Sequence, residues 1–403
     1  MTIPHTRRRQ TLLALAATLA QPALAQKRYD PGASDTEIRI GQTMPYSGPV
    51  SMLGTMGKAT AAYFDKVNAE GGVNGRKLRL LSLDDGYSPN KTLEQTRRLV
   101  EEDEVLLVFL NVGTAGNLAI HRYLNQRKVP QLLIMTGASR WNDPRNFPWT
   151  MGGMLSYDAE ARMYARHLLA AVKDPKIAVL SQNDDFGRDY LRGLKAQLGE
   201  RARQMIVAEA TYEVTDPTVD SQILTLKGSG ANVFFSFSTG KFTVQSLRRA
   251  AELGWHPQLY LPVGSTSIAS ILRPAGADSA VGAITISNHK NPLDPQWAQD
   301  AGMREYLEFM KRWAPGLDAQ DSLNLSAYSM SRVLVDALRR CGDDLTRAHV
   351  MRQMQALKDY ATPVMLPGVS LTTGPDDYEI YGAIKLQRFD GRSWVPFGEP
   401  VAR

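Results

Sequence analysis

Short apolar runs alternate with amphipathic segments along most of the chain, starting near Glu37. The runs predict buried strands, and the segments with an apolar residue at every third or fourth position predict helices. A repeated strand–helix–strand order is typical of a doubly wound parallel sheet. Because the alternation restarts after Trp149, the sequence predicts an α/β protein with two similar lobes.

The stretch from Val105 to Ser139 has the pattern of one complete βαβ unit. Two strands and a helix are joined by small-residue turns at Asn111–Gly116 and Thr136–Ser139. In a parallel sheet both turns lie at the same carboxyl edge, where a ligand can sit. Thr114 is a candidate N-cap, and the free N–H groups at a helix start suit a carboxylate or phosphate. An anion site is therefore predicted, although in an isolated βαβ unit Gly113, Gly116 and Gly137 more often serve only to permit tight turns.

The first 25 residues predict a signal peptide. Arg7–Arg9 is a basic region, Leu12–Ala20 is an apolar run too short to span a bilayer, and cleavage is expected after Ala25. Ordinary secretion and twin-arginine export both remain open. The expected location is the periplasm. The net charge of +6 includes three arginines of this segment, so the mature chain is closer to neutral.

No motif for catalysis, metal binding or nucleic-acid binding emerges from the sequence. The six histidines show no metal-binding spacing, and there is no nucleophile elbow or phosphate-binding loop. Paired arginines lie apart on predicted helices without an aromatic-interleaved basic stripe. We therefore expect no enzyme activity, no cofactor and no nucleic-acid partner.

Three segments resemble the leucine/isoleucine/valine-binding type of periplasmic solute-binding proteins, which serve ABC importers. These are Glu37–Pro49, Val67–Leu83 and Gln182–Asp189. The resemblance implies two Rossmann-like lobes joined by a three-crossing hinge, with lobe 1 at 26–153 and 289–364 and lobe 2 at 154–288 and 365–403. It also implies an organic acid or amino acid as ligand, permease subunits in the inner membrane as partners, and a monomer.

The resemblance further implies a set of ligand-binding residues. Two loops of the first lobe would hold a carboxylate, an aromatic and a leucine would form walls, and loops of both lobes would face the cleft. In these roles we expect Gly113, Thr114, Gly137, Ala138 and Ser139 for the carboxylate, Phe186 and Leu53 for the walls, and Tyr46, Tyr157, Thr239, Gly264 and Ser265 at the cleft.

One departure from the family pattern bears on the ligand. Amino-acid-binding members place an acidic side chain in the loop that here reads Pro262–Ser267, which contains no carboxylate. A buried ammonium without an anionic partner is costly, which favours an aromatic or keto acid over a branched-chain amino acid. Arg140–Met151 and Leu386–Trp394 also resemble the branch that binds aromatic acids. An amino-acid transport protein, an exported ligand sensor and an exported hydrolase remain alternatives.

Overall fold

Two mainly parallel sheets organise the chain in this computed structural model, which describes residues 27–402. The predicted signal peptide lies outside the described residues. The strands are β1 (Arg28–Tyr29), β2 (Glu37–Met44), β3 (Lys77–Asp84), β4 (Leu107–Phe109), β5 (Gln131–Ile134), β6 (Thr150–Gly152), β7 (Ile177–Gln182), β8 (Ile206–Tyr212), β9 (Val233–Phe237), β10 (Gln258–Tyr260), β11 (Ile284–Ser287), β12 (Asp344–Leu345), β13 (Ala383–Phe389) and β14 (Trp394–Ala402).

The first sheet has five parallel strands in the order β3-β2-β4-β5-β6. The second has seven strands in the order β14-β13-β11-β10-β9-β7-β8. Its core is parallel, and the C-terminal hairpin β13–β14 adds antiparallel to β11. This confirms the predicted α/β class with two doubly wound lobes.

Helices cover the sheets, and polar side chains cap several of their N-termini. The helices are α1 (Thr55–Ala69), α2 (Pro89–Glu101), α3 (Thr114–Gln126), α4 (Tyr157–Ala171), α5 (Asp185–Leu198), α6 (Ala202–Met205), α7 (Asp220–Gly228), α8 (Lys241–Glu252), α9 (Arg273–Ala275), α10 (Ala301–Trp313), α11 (Ser322–Cys341) and α12 (Arg347–Met354). Ser156 caps α4 and Asp184 caps α5 by accepting backbone N–H groups. In the part of the chain that the structure describes, no helix has both the length and the apolar character needed to cross a membrane.

The chain passes between the two sheets three times, at 153–156, 288–300 and 355–382. After the second passage α10 and α11 pack on α1, where the Tyr63 ring meets those of Phe309 and Tyr328 edge to face. The late helices therefore cover the first sheet, although they follow the second along the chain.

Helices α4 and α5 pack unusually close, and this contact positions one side of the cleft between the lobes. A Cβ added at Gly193 of α5 would lie 2.4 Å from the carbonyl oxygen of Asp158 in α4. Real side chains do not approach that closely, so only glycine allows this helix spacing. The spacing in turn sets the relative positions of Tyr157 at the start of α4 and Phe186 at the start of α5.

We predict that Gly193→Ala lowers the free energy of unfolding by about 1–3 kcal/mol, because the added methyl group forces α4 and α5 apart. Urea denaturation followed by circular dichroism measures the change. The matched control is Gly228→Ala in α7, where an added Cβ would meet no atom within 4 Å and stability should hold or rise slightly. Equal stabilities of the two variants would contradict the packing argument.

Candidate ligand-binding cavity

A cavity of about 140 Å³ lies between the two lobes. Both lobes and the second hinge passage contribute to its lining, which is mostly apolar and aromatic. For scale, a buried apolar cavity of about 150 Å³ accepts benzene. The space thus matches a ligand with a body the size of one aromatic ring.

The first lobe presents the N-terminus of α3 to this cavity. Gly113 lies at a φ of 95°, and a Cβ there would be 2.5 Å from the Tyr87 ring, so both backbone and space require glycine. No side chain caps the helix, and Thr114 instead shares a hydrogen bond of 2.6 Å with the hydroxyl of Thr136. Uncapped N–H groups and the positive end of the helix dipole favour negative charge at this position.

Aromatic rings from α4 and α5 form the wall of the second lobe. Tyr157 stacks on Tyr190 with ring centroids 4.5 Å apart and meets Phe186 edge to face at 5.1 Å. Burial raises the pKa of Tyr157 to about 12, although the hydroxyls of Thr136 and Thr114 oppose the shift. Tyr157 therefore stays protonated at physiological pH and can donate a hydrogen bond.

The loop after β10 closes the second-lobe side with a 3₁₀ turn at Val263–Ser265. The Ser265 hydroxyl donates to the Ser238 carbonyl oxygen at 2.6 Å. Gly264 borders open space, because a Cβ added there would meet no atom within 4 Å. None of the described residues that line the cavity is aspartate or glutamate.

The second hinge passage contributes two ionisable residues. Burial lowers the pKa of His289 to about 4, so this imidazole is neutral at physiological pH. The ammonium of Lys290 donates to Asp300 at 2.7 Å and to the Pro363 carbonyl oxygen at 2.8 Å. The hinge therefore presents no uncompensated charge to the cavity.

Eight residues predicted as ligand contacts line this cavity together. They are Leu53, Gly113, Thr114, Tyr157, Phe186, Thr239, Gly264 and Ser265. Sequence reasoning did not select Tyr87, Tyr190, His289 or Lys290, which also line it. The sequence carries no local signal for them, because the cavity joins segments that are far apart along the chain.

Four other predicted residues do not line this cavity in the structure. Tyr46 is directed into the first lobe, where its hydroxyl shares a hydrogen bond of 2.6 Å with Ser82. Gly137 lies behind Tyr157 and accepts its backbone N–H at 2.6 Å. Ala138 is buried beside Trp141, and Ser139 turns toward α5.

Ser139 instead joins the two lobes at one rim of the cleft. Its backbone N–H donates to Asp189 Oδ2 at 2.8 Å, and Arg192 donates to its hydroxyl at 2.8 Å. Arg192 also pairs with Asp189 at 2.6 Å. We call Ser139, Asp189 and Arg192 the rim latch.

Further contacts close the cleft elsewhere. Ser270 donates to Asp321 across the lobes at 2.7 Å. At a third point Gly240 approaches the loop before α1, where an added Cβ would lie 2.8 Å from Val50. The lobes are thus in direct contact on several sides of the cavity, which is the closed arrangement.

Among residues 27–402 no group of three or more histidine, cysteine, aspartate or glutamate side chains is arranged to hold a metal ion. The cavity is suited to holding a small molecule by shape, aromatic contact and backbone donors.

Comparison with known proteins gives consistent matches over almost the whole chain. A family model described as periplasmic binding protein matches residues 37–386. Leu/Ile/Val-binding protein homolog 7 of Brucella abortus is 24% identical over 343 residues, covering 82% of each chain.

Solved structures share the fold at low sequence identity. A branched-chain amino acid ABC transporter protein of Thermus thermophilus with bound valine has a TM-score of 0.80 at 16% identity, covering 91% of this chain and 97% of that one. A solute-binding protein of an ABC transporter from R. palustris in complex with benzoate has a TM-score of 0.75 at 18% identity, covering 91% and 98%.

We predict that Asp189→Ala shifts the ligand-free protein toward an open form, because it removes the acceptor of both the Ser139 N–H and Arg192. Loss of a charged hydrogen bond of about 1.5–3 kcal/mol changes the ratio of open to closed molecules about tenfold or more. Small-angle X-ray scattering should show a larger radius of gyration than for the unmodified protein.

Ser139→Ala is the matched control, since it keeps the backbone N–H bond to Asp189 and loses only the contact to Arg192. Its scattering curve should stay close to that of the unmodified protein. Identical curves for Asp189→Ala and the unmodified protein would rule out a role of the rim latch in closure.

Proposed function

We propose that this chain, which belongs to the periplasmic binding protein family, is the substrate-binding component of an ABC importer and captures a small carboxylate. The observation that carries the proposal is the uncapped N-terminus of α3 in an aromatic-lined cavity between two closed lobes. We further propose a periplasmic monomer, released by cleavage after Ala25, that delivers its ligand to permease subunits.

Binding would begin at the first lobe. The carboxylate would accept hydrogen bonds from the first N–H groups of α3 and from the Thr114 hydroxyl, where the helix dipole favours negative charge. The second lobe would then cover the apolar body with Tyr157 and Phe186. Closure by rotation about a hinge is a common way to enclose a ligand.

The lining favours an aromatic or keto acid over a branched-chain amino acid. The ligand's end that faces Val263–Ser265 would meet backbone groups and hydroxyls but no carboxylate of a lining residue. An ammonium group placed there would lose its hydration without gaining an anionic partner. A keto or aryl group does not carry this penalty. The benzoate complex of the R. palustris protein supports this ligand class, and the valine complex of the T. thermophilus protein supports the amino-acid alternative.

We expect 4-methyl-2-oxopentanoate and benzoate to raise the melting temperature more than leucine does at equal concentration. The oxo acid and leucine share one carbon skeleton, so the difference isolates the ammonium group. A ligand at 100 times its Kd stabilises the native state by about 2.7 kcal/mol. Differential scanning fluorimetry followed by calorimetric titration measures the ranking.

Gly264→Glu is the companion variant, because Gly264 has free space for a side chain and would supply the missing carboxylate. It should improve leucine binding relative to the oxo acid. Tight binding of leucine to the unmodified protein, with weak binding of both other acids, would refute the proposed ligand class.

We predict that Thr114→Val weakens carboxylate binding about tenfold, because the substitution keeps the shape and removes one hydrogen bond to a charged group, worth about 1.5–3 kcal/mol. Calorimetric titration with the strongest binder of the screen gives the affinity. Thr225→Val on the exposed face of α7 is the control and should leave affinity unchanged. Full affinity in Thr114→Val would place the carboxylate elsewhere.

A further inference from the structure

Glu160 is a fully buried carboxylate behind the second-lobe wall of the cavity. It lies one turn into α4, and its side chain is 0% exposed. Its Oε1 accepts hydrogen bonds from the Tyr164 hydroxyl and from the backbone N–H of Val263, the latter at 2.8 Å. Since Val263 lines the cavity, Glu160 holds part of the wall in place.

The second oxygen of this carboxylate is unsatisfied. Glu160 Oε2 and the Tyr190 hydroxyl are both buried, and neither completes a hydrogen bond of good geometry. They are nevertheless close enough for each group to shift the pKa of the other. Tyr190 lines the cavity and stacks between Tyr157 and Phe237. Glu160 therefore contacts the wall through Val263 and approaches it through Tyr190.

No cation compensates this charge. The groups that face Glu160 are Tyr157 and Tyr164 from its own helix, Tyr190 from α5 and the Val263 N–H from the loop after β10. Within the described chain, no lysine, arginine or histidine forms an ion pair with it. Burial raises the pKa of Glu160 to about 7 against the opposing effect of its hydrogen bonds from the Tyr164 hydroxyl and the Val263 N–H. Near neutral pH the carboxyl group is thus divided between its charged and neutral forms.

We propose that Glu160 is a specificity-determining positioning residue that couples capture of a carboxylate to uptake of a proton. The inference rests on the proposed function. An anionic ligand brings a second negative charge toward Glu160 and displaces water from the wall, and both effects favour the neutral carboxyl group. The proton comes from solvent and adds to Glu160 Oε2, which carries no other hydrogen bond.

This coupling restricts the chemical nature of the ligand's end that lies away from its carboxylate. A neutral aryl or alkyl end is compatible with a protonated Glu160. A second carboxylate at the same end would face the remaining fraction of buried charge and be disfavoured. Glu160 thereby contributes a preference for monoanions, although it does not itself line the cavity.

Calorimetric titration of the full protein with benzoate and with 4-methyl-2-oxopentanoate tests the proposal. At pH 7, the apparent binding enthalpy should differ between titrations in PIPES and in imidazole buffer. The difference should correspond to the uptake of up to about half a proton per ligand. Affinity should fall by about tenfold between pH 6 and pH 8.5, because the charged form of Glu160 opposes binding. His289 does not contribute in this range, since its pKa lies at about 4.

Glu160→Gln should abolish both the buffer dependence and the fall in affinity, because glutamine keeps the acceptor oxygen and cannot ionise. Its melting temperature at pH 8 should be at least that of the unmodified protein, since burial favours a neutral side chain here. Glu200→Gln at an exposed position of the same lobe is the matched control and should keep both effects.

If Glu160→Gln does not fold, Tyr164→Phe provides the test. Removing one hydrogen-bond donor to the charged carboxylate raises the pKa of Glu160, so the fall in affinity should move to higher pH. Binding of either acid without proton uptake in the unmodified protein, or unchanged uptake in Glu160→Gln, would overturn the role of Glu160 and leave the proposed function intact. Failure of both acids to bind would overturn the proposed ligand class as well.

Discussion

Close packing of α4 on α5 is the constraint on which the second-lobe half of the cavity depends. The backbone of α5 at Gly193 lies against the Asp158 carbonyl, which leaves no room for a side chain. This contact fixes how Tyr157 and Phe186 meet at the ends of the two helices. It also buries Glu160 beside Tyr190. The aromatic wall and the buried charge of Glu160 thus both depend on the spacing between α4 and α5.

The electrostatic character of the cavity depends on where the charged groups around it lie. Partial positive charge at the start of α3 is left uncapped, and Lys290 is neutralised by Asp300. The negative charge of Glu160 is buried behind the aromatic wall of the second lobe. The cavity therefore has a donor-rich end in the first lobe, and none of its described lining residues is a carboxylate. The proposed ligand, a monoanion with a neutral body, would match this polarity.

The sequence predicted those features that depend on local pattern. The alternation of apolar runs indicated both lobes. Strand β11 has little local signal, because Ile284–Ser287 is short and is stabilised by pairing with β13, some hundred residues later. Such pairing leaves no local signal.

The candidate site divides in the same way. Gly113 and Thr114 were identifiable, since a small-residue turn followed by a helix specifies its own geometry. The contact that Ser139 makes has no such local signal, because the direction of its short 3₁₀ turn depends on Asp189 in the other lobe. Glu160 carried a signal that was overlooked: it is a carboxylate on the apolar stripe of α4, between Tyr157 and Tyr164.

The close approach of Gly240 to Val50 limits how far the two lobes can close. Because backbone meets side chain there without space for even a methyl group, the protein itself sets the final distance between the lobes. The lobes would therefore reach the same final distance with ligands of different sizes. A membrane partner that recognises the distance between the lobes would therefore distinguish an occupied cavity from an empty one. It would not distinguish one bound ligand from another.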